Sequence, residues 1–307
     1  MKGLKLLFLC CVVAFQCPEK RAQAQDGKVV NVSSRRGFVF EVTKGKERFF
    51  LAGSLHRLTS AQHPPPWPYE YAFRQATRLV FEVDPDENNS VAASSAMSRE
   101  ALYRGRDSLE KHLKPEVWQR FSRFCEARGL NPKEFRRYKP WYAASWISDY
   151  EYERLGIKQR FGLDHYYHYR AGLMRKATSG LERPAELIAA SSSGAVAEHE
   201  NNLVDTMDSM AGLQGFFDRL TTAWAAGNEE ATLEVLCPSD TQESQLWKRV
   251  VQQRSRAWLP HLTKPIKPGD LPLYFVGAGH LLGETGLCTM LRQAGYQVCQ
   301  LDAGTGR

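Results

Sequence analysis

Two histidines occupy the same local setting near opposite ends of the chain. His56 closes the stretch 49–56 and His280 closes the stretch 273–280, and each follows an apolar run and the pattern Gly-x-x-His. A polar residue that directly follows a buried strand lies at the carboxyl edge of a sheet, where α/β proteins build their sites. We therefore predict a single site assembled from both ends of the chain.

A carboxylate lies within a third apolar run. Glu82 interrupts the sequence Val-Phe-Glu-Val, where a charge is unfavourable unless it is paired or bound to a metal. Imidazole and carboxylate groups bind transition metals, and two histidines with one carboxylate leave coordination positions open for water. The residues predict a metal site of His56, Glu82 and His280. The alternative is that the histidines are hydrogen-bonded structural residues.

Three further charged residues are candidates for the same site or for the surface. Glu182 is predicted to assist as a catalytic base, and an arginine-paired surface carboxylate is the alternative. Arg254 is predicted to bind an anionic substrate or an oxyanion, and a solvated helical cation is the alternative. Glu70, which stands between two tyrosines beside a proline-rich loop, is expected at the surface.

Several motifs are excluded or favour packing. Asp164-His165-x-x-His168 places two imidazoles on one helical face, but the adjoining tyrosines favour a packing face over a metal site. Gly277-Ala278-Gly279 lacks the last glycine of a dinucleotide fingerprint because Leu282 stands there, so we expect no nucleotide cofactor. Neither Gly-x-Ser-x-Gly nor His-Glu-x-x-His occurs in the sequence.

Composition and charge limit the class of protein. The chain of 307 residues with 43% hydrophobic content can bury a core as one large domain or two small ones. Its formal charge is +7, of which residues 1–24 contribute +3. The basic residues of the remainder are interleaved with acidic ones, so we expect no nucleic-acid partner.

The N-terminus has the three parts of a secretory signal peptide. Lys2 and Lys5 precede an apolar run at 6–15, and Ala22-Gln23-Ala24 follows. The apolar run is shorter than the roughly 20 residues of a membrane-spanning helix. We predict cleavage after Ala24, a periplasmic or secreted protein, and no stable membrane anchor after cleavage. Cys17 leaves a lipoprotein as the alternative.

Four cysteines follow the predicted cleavage site: Cys125, Cys237, Cys288 and Cys299. The sequence has no Cys-x-x-Cys, so we expect no structural zinc site. Buried free thiols and a disulfide between Cys288 and Cys299 remain alternatives in an oxidising compartment.

Short apolar runs predict the strands. Residues 38–42 and 48–52 flank a turn and predict a β-hairpin. A helix at 69–76 and a strand at 78–85 then predict a βαβ unit whose two parallel strands are neighbours. Near the C-terminus, a strand at 273–276, a helix at 286–293 and a strand at 296–301 predict a second such unit.

The middle of the chain is predicted to be helical from about 97 to 260, with a break at 191–194. We expect residues 25–307 to form a single α/β domain. Both chain ends would supply one central, mainly parallel sheet, and the helical middle would form a cap over it.

The motifs resemble those of the TraB/GumN family, which is related to the Tiki proteases. The matching segments run in order from about 35 to 301, and they include both Gly-x-x-His elements, the strand that contains Glu82, Gly162-Leu163-Asp164 and Gly180-Leu181-Glu182. The resemblance implies an α/β fold of the erythromycin-esterase and ChaN-like kind.

In Tiki relatives the resemblance also implies a metal-dependent protease supported by manganese or cobalt. Those metal-binding roles carry over to His56, Glu82 and His280. Two positions depart from the family pattern, since Ser255 replaces the usual Asn after Arg254 and Leu282 stands where relatives often carry Pro or Val.

Three hypotheses follow. The first is an exported metal-dependent hydrolase, specifically a peptidase that acts on a peptide or protein. The second is a non-enzymatic periplasmic protein that binds a peptide signal or haem in the same cleft. The third is a structural module without a metal.

Overall fold

The computed structural model describes residues 36–237 and 244–302. The predicted signal peptide and its cleavage site after Ala24 lie outside these residues.

Six strands of the described residues form one sheet in the order β4-β3-β5-β2-β1-β6. The strands are β1 (Val39–Lys44), β2 (Glu47–Ser54), β3 (Arg78–Phe81), β4 (Ala177–Gly180), β5 (Pro272–Gly277) and β6 (Gln297–Gln300). The pairs β2/β5, β3/β5 and β3/β4 are parallel, whereas β1 is antiparallel to β2 and β6. The prediction of an α/β fold with a mainly parallel sheet built from both chain ends is confirmed.

The predicted β-hairpin is present as β1 and β2. Their register pairs Val39 with Ala52 and Lys44 with Glu47, which leaves two residues for the turn. The apolar runs that predicted these strands are largely buried in the structure.

The central strand is β5, and this corrects one prediction. The sequence predicted that the strand of Glu82 lies beside the strand of His56, but β5 separates β3 from β2. All six residues of β5 are buried, which agrees with the continuous apolar character of parallel strands that are covered on both faces. His280 therefore follows a strand that lies between those preceding Glu82 and His56.

The helices of the described residues are α1 (Trp67–Gln75), α2 (Pro85–Asn88), α3 (Val91–Ala101), α4 (Leu109–His112), α5 (Pro115–Glu126), α6 (Pro140–Arg154), α7 (Leu163–Leu173), α8 (Pro184–Ser192), α9 (Val196–Ser209), α10 (Leu213–Ala226), α11 (Glu229–Leu236), α12 (Gln245–Trp247), α13 (Arg254–Leu262), α14 (Ala278–Leu281) and α15 (Leu287–Gln293). A π-helical segment, Lys248–Gln253, joins α12 to α13.

Prolines mark several helix starts. Pro115, Pro140 and Pro184 each occupy the first position of a helix, where the missing N–H has no intrahelical partner. Asn131 caps only a short 3₁₀ turn, Pro132–Phe135, before α6 begins.

The helical middle has a core of its own beside the core of the sheet. Phe121 on α5, Ile147 on α6 and Leu203 on α9 are fully buried members of this second cluster. One element of the middle joins the sheet instead, because β4 pairs with β3 at the edge.

Two further observations concern the described residues alone. None of their helices has the length and apolar character that crossing a bilayer requires. Cys288 is buried and Cys299 is exposed, and the two are not joined by a disulfide.

Candidate functional site

Two aromatic side chains form hydrogen bonds with the backbone at the end of β2. The Tyr69 hydroxyl donates to the Gly53 carbonyl at 2.6 Å, and Trp224 Nε1 donates to the same oxygen at 3.1 Å. Trp224 Nε1 also lies 3.0 Å from the Tyr69 hydroxyl. These bonds fix the backbone that delivers His56 to the carboxyl edge of the sheet.

The N-terminus of α7 packs directly against the backbone of His56. A Cβ atom at Gly162 would lie 2.0 Å from the His56 carbonyl oxygen, so only glycine permits this approach. Leu163 N–H then donates to the Leu55 carbonyl at 3.1 Å. Asp164, the next residue, is thereby placed beside the imidazole of His56.

Asp164 binds two residues of the first Gly-x-x-His element. Its Oδ2 lies 2.9 Å from His56 Nδ1, and its Oδ1 accepts a hydrogen bond from Ser54 Oγ at 3.1 Å. His56 and Asp164 retain 19% and 14% of their side-chain exposure, so solvent reaches the site from this side.

Glu82 connects the two histidines. Its Oε1 accepts the backbone N–H of Gly277 at 2.6 Å. The same oxygen lies 3.7 Å from His56 Nε2 and 3.6 Å from His280 Nε2. The three predicted metal ligands therefore meet at one carboxylate oxygen.

The absence of a side chain at Gly277 leaves space within this cluster. A Cβ atom there would lie 3.0 Å from His56 Nε2, 3.2 Å from Glu82 Oε1 and 3.6 Å from His280 Cδ2. A side chain at this position would therefore crowd all three predicted ligands.

Arg254 is buried at the site, which rules out the solvated-cation alternative. Its Nη2 donates to Glu82 Oε2 at 2.7 Å and to Glu182 Oε1 at 2.6 Å, and its Nε donates to Glu182 Oε1 at 2.8 Å. Its Nη1 lies 3.4 Å from His280 Nε2. One guanidinium thus bridges two carboxylates and touches one imidazole.

Glu182 belongs to the same cluster and is not a surface residue paired with its neighbouring arginine. Its backbone N–H donates to the Glu82 carbonyl at 2.9 Å, which places the two acidic residues side by side. Its Oε2 accepts from Trp258 Nε1 at 3.1 Å. The Trp258 ring also packs against His280, with ring centroids 4.5 Å apart.

Ser255 fixes the second histidine. Its hydroxyl donates to the Val251 carbonyl at 2.8 Å and lies 2.9 Å from His280 Nδ1. Because a hydroxyl has one hydrogen, the Nδ1–H of His280 must be the donor, and Nε2 keeps the lone pair. Arg254 and Ser255 directly follow the π-helical segment, and both contact residues of the site.

The surroundings of Glu82 and Glu182 shift the pKa values of their carboxyl groups in opposite directions. Burial raises the pKa of Glu182, and Arg254 only partly offsets this effect. Burial would also raise the pKa of Glu82, but the charge of Arg254, followed by those of His280 and His56 in their protonated forms, outweighs it and holds that pKa far below its usual range. Glu82 is thus suited to remain an anion and Glu182 to exchange a proton.

The imidazole of His280 is held neutral. Burial, reinforced by the charge of Arg254, lowers its pKa to about 3, although Glu82 acts in the opposite direction. A neutral imidazole is the form that binds a metal.

The remaining candidate residues lie elsewhere. Glu70 pairs with Arg74 and Arg170 and is partly buried. The His168 ring packs edge-on against Phe81. His168 also lies with Asp84 and Asp86 in a group of metal-ligand side chains, and the Asp86 side chain is largely exposed.

Sequence reasoning missed four contributors to the site: Ser54, Asp164, Ser255 and Gly277. The glycine of Gly162-Leu163-Asp164 was the available signal for Asp164, since a glycine before a short polar residue at a helix start indicates a close backbone approach. Ser255 was noted only as a departure from the family pattern, and its contact with His280 was not predicted because the two residues lie 25 positions apart on different elements.

The fold and the site define an α/β protein with a buried histidine, glutamate and arginine cluster at the carboxyl edge of its sheet. The model of the TraB/PrgY/gumN family matches residues 38–300, and the chain belongs to this family.

Curated relatives share much of the chain at low identity. The uncharacterized protein YbaP of Escherichia coli (strain K12) is 22% identical over 251 residues, which cover 81% of this chain and 89% of that protein. YbaP of Shigella flexneri matches to the same extent. No solved structure shows a significant match to the chain.

Proposed function

We propose that the protein is an exported metal-dependent hydrolase that cleaves peptide bonds, with a divalent cation held by His56, Glu82 and His280. One observation carries the proposal: both Nε2 atoms approach the same Glu82 oxygen, at 3.7 and 3.6 Å. Ligand atoms around a tetrahedral ion with bonds of about 2.1 Å lie roughly 3.4 Å apart, and the two separations from Glu82 Oε1 are close to that value.

The residues present fit a divalent cation. Two imidazole nitrogens and one carboxylate oxygen are a donor set that suits transition metals. The space beside Gly277 adjoins all three groups, since a Cβ atom there would contact each of them. Binding at His280 Nε2 would replace its 3.4 Å contact with Arg254 Nη1.

The charge of the site favours a cation. Glu82 and Glu182 pair with the guanidinium of Arg254, and Asp164 pairs with His56. With three carboxylates, one guanidinium and neutral imidazoles, the cluster carries a charge of −2. Buried charge without compensation is strongly unfavourable, and a divalent cation would balance it.

The neighbouring residues support hydrolysis. A divalent cation supplies Lewis acidity toward a carbonyl oxygen and makes water more acidic. Glu182, with its raised pKa, is placed to accept and return a proton. Arg254 supplies fixed positive charge for a developing oxyanion.

The peptide substrate, the metal and the export are supported by the sequence. The resemblance to Tiki proteases supports a peptide or protein substrate and manganese or cobalt as the metal. The basic, apolar and Ala-x-Ala segments of residues 1–24 support export to the periplasm or the medium.

Metal analysis of the purified mature protein tests the proposal. We expect manganese, cobalt or zinc to bind to the wild type and not to bind to the double variant His56→Ala/His280→Ala. His261→Ala, which removes an exposed histidine outside the site, is the control and should bind as the wild type does. Equal binding by the double variant would disprove the metal site.

Two further measurements test substrate and location. A broad peptide-cleavage screen with each metal should show turnover, whereas tight peptide binding without cleavage under any metal would support a binding protein instead. N-terminal sequencing of the exported protein should begin at Gln25. A protein retained in the cytoplasm with Met1 intact would disprove export.

A further inference from the structure

We infer that Asp164 is a positioning residue, which fixes the tautomer of His56 so that the Nε2 lone pair faces Glu82 before any metal binds. The consequence for metal affinity rests on the proposed function, whereas the tautomer itself does not.

The contact at Nδ1 decides where the hydrogen of a neutral His56 ring lies. Nδ1 is 2.9 Å from Asp164 Oδ2, which is a normal hydrogen-bond length. Nε2 is 3.7 Å from Glu82 Oε1, which is too long for one. An ionised carboxylate only accepts hydrogen bonds, so a neutral imidazole in this position carries its hydrogen on Nδ1.

Ser54 fixes the orientation of Asp164. Its hydroxyl donates to Asp164 Oδ1 at 3.1 Å, while the other oxygen faces His56. The two carboxylate oxygens therefore have different partners, although both partners come from the same Gly-x-x-His element.

His280 provides an internal reference. Its Nδ1 donates to the Ser255 hydroxyl at 2.9 Å, and its Nε2 faces Arg254 Nη1 at 3.4 Å, a group that can only donate. Both histidines thus present Nε2 to Glu82, and different residues hold each of them. A change at Asp164 should alter His56 alone.

The substitution Asp164→Asn tests whether Asp164 sets the tautomer of His56. Ser54 donates to the Oδ1 position in the wild type. With this bond kept, the amide oxygen of the variant stays at that position and the amide N–H₂ group faces His56 Nδ1. A donor at that position forces the hydrogen of His56 onto Nε2. Removing Ser54 as well, in Asp164→Asn/Ser54→Ala, frees the amide to turn its oxygen toward Nδ1, so the double variant should recover the wild-type tautomer in part.

Long-range ¹H–¹⁵N NMR of the metal-free, ¹⁵N-labelled mature protein reads both imidazoles, at about pH 8, above the ordinary histidine pKa of about 6.5. We expect both histidines with Nδ1–H in the wild type, a change of His56 alone in Asp164→Asn, and partial reversal in the double variant. Asp107→Asn, which removes the exposed pair of Asp107 with His112, is the control and should leave both site histidines unchanged.

Metal titration of the same proteins gives the second readout. Loss of the orienting partner should weaken metal binding by about 10- to 100-fold, with part of the loss recovered in the double variant. His56 with its hydrogen on Nε2 in the wild type would overturn the inference. If Asp164→Asn does not fold, the tautomer of His56 in the wild type tests the inference. The expected tautomers in a protein that binds no metal would uphold the inference and disprove the proposed function alone.

Discussion

Gly277 donates its backbone N–H to Glu82 Oε1 at 2.6 Å, from the end of a neighbouring strand. The bond joins the ends of β5 and β3. It turns one carboxylate oxygen toward both histidines, because the other oxygen is held by Arg254 at 2.7 Å.

Gly277→Ala should weaken metal binding without altering any ligand. The backbone of Gly277, at φ −53°, accepts alanine, so the effect arises from the added Cβ at 3.0 Å from His56 Nε2. We expect at least about a tenfold loss of affinity in a metal titration, by analogy with the loss of an orienting partner. Gly172→Ala, whose Cβ would meet nothing within 4 Å, is the control. Unchanged affinity in Gly277→Ala would show that the metal does not occupy this space.

Arg254→Met should destabilise the metal-free protein and increase its dependence on metal. Removal of the guanidinium leaves Glu82 and Glu182 buried without their cation, which costs about 3 kcal/mol or more. Urea unfolding with and without manganese measures this, and metal should stabilise the variant more than the wild type. Arg249→Met, which breaks the ion pair with Glu198, is the control and should show no such metal dependence. Equal stabilisation of Arg254→Met and wild type by metal would contradict the charge balance of the site.

Glu182→Gln should abolish proton transfer by this residue and leave metal binding unchanged. Burial raises the pKa of Glu182, so the wild-type rate is expected to have an acid limb set by this group. Loss of a general base lowers kcat by about 10² to 10⁴. Peptide cleavage across pH, together with metal content, checks this prediction. The control Glu186→Gln, which changes an exposed acidic residue nearby in the chain, should keep peptide cleavage and metal content unchanged. A retained acid limb in Glu182→Gln would assign it to another group.

His280 should make the metal-free protein less stable as the pH falls. Burial lowers its folded pKa to about 3, whereas the unfolded chain binds a proton at its ordinary pKa of about 6.5. Between these values only the unfolded state is protonated at this residue, so stability decreases with falling pH, by up to about 1.4 kcal/mol per pH unit.

His280→Asn removes this contribution. The free energy of unfolding, measured by urea at a series of pH values between about 6.5 and 4.5, should fall less steeply in the variant than in the wild type. His261→Asn, at an exposed position, should retain the wild-type slope. Identical slopes for His280→Asn and wild type would mean that His280 is protonated in the folded protein.

The sequence was sufficient for the strands whose own composition is apolar. The hairpin β1–β2 and the buried strand β5 were predicted from their runs of aromatic and β-branched residues. β4 was missed because its sequence, Ala-Thr-Ser-Gly, is polar, as an exposed edge strand allows. The order of strands was missed as well, since local pattern does not show that a later strand will enter between two earlier ones.

The residues of the candidate site also fall into two groups, those that the sequence predicted and those that it did not. His56, Glu82 and His280 were found because each directly follows or interrupts a strand of its own. Asp164 and Ser255 lie on helices, and their partners lie 108 and 25 residues away, so only the folded chain brings them together. The burial of Arg254 depends on two carboxylates supplied by other elements and was likewise not visible in its own helix.

The position of β5 determines when the site comes into existence. A chain that ends before residue 272 contains β1–β2 and β3–β4 as separate pairs, without the strand that joins them and without His280. The cluster therefore assembles only after nearly the whole polypeptide has been made. Under the proposed export and metal binding, this order of assembly means that the compartment in which the chain folds, rather than the one in which it is made, supplies the ion.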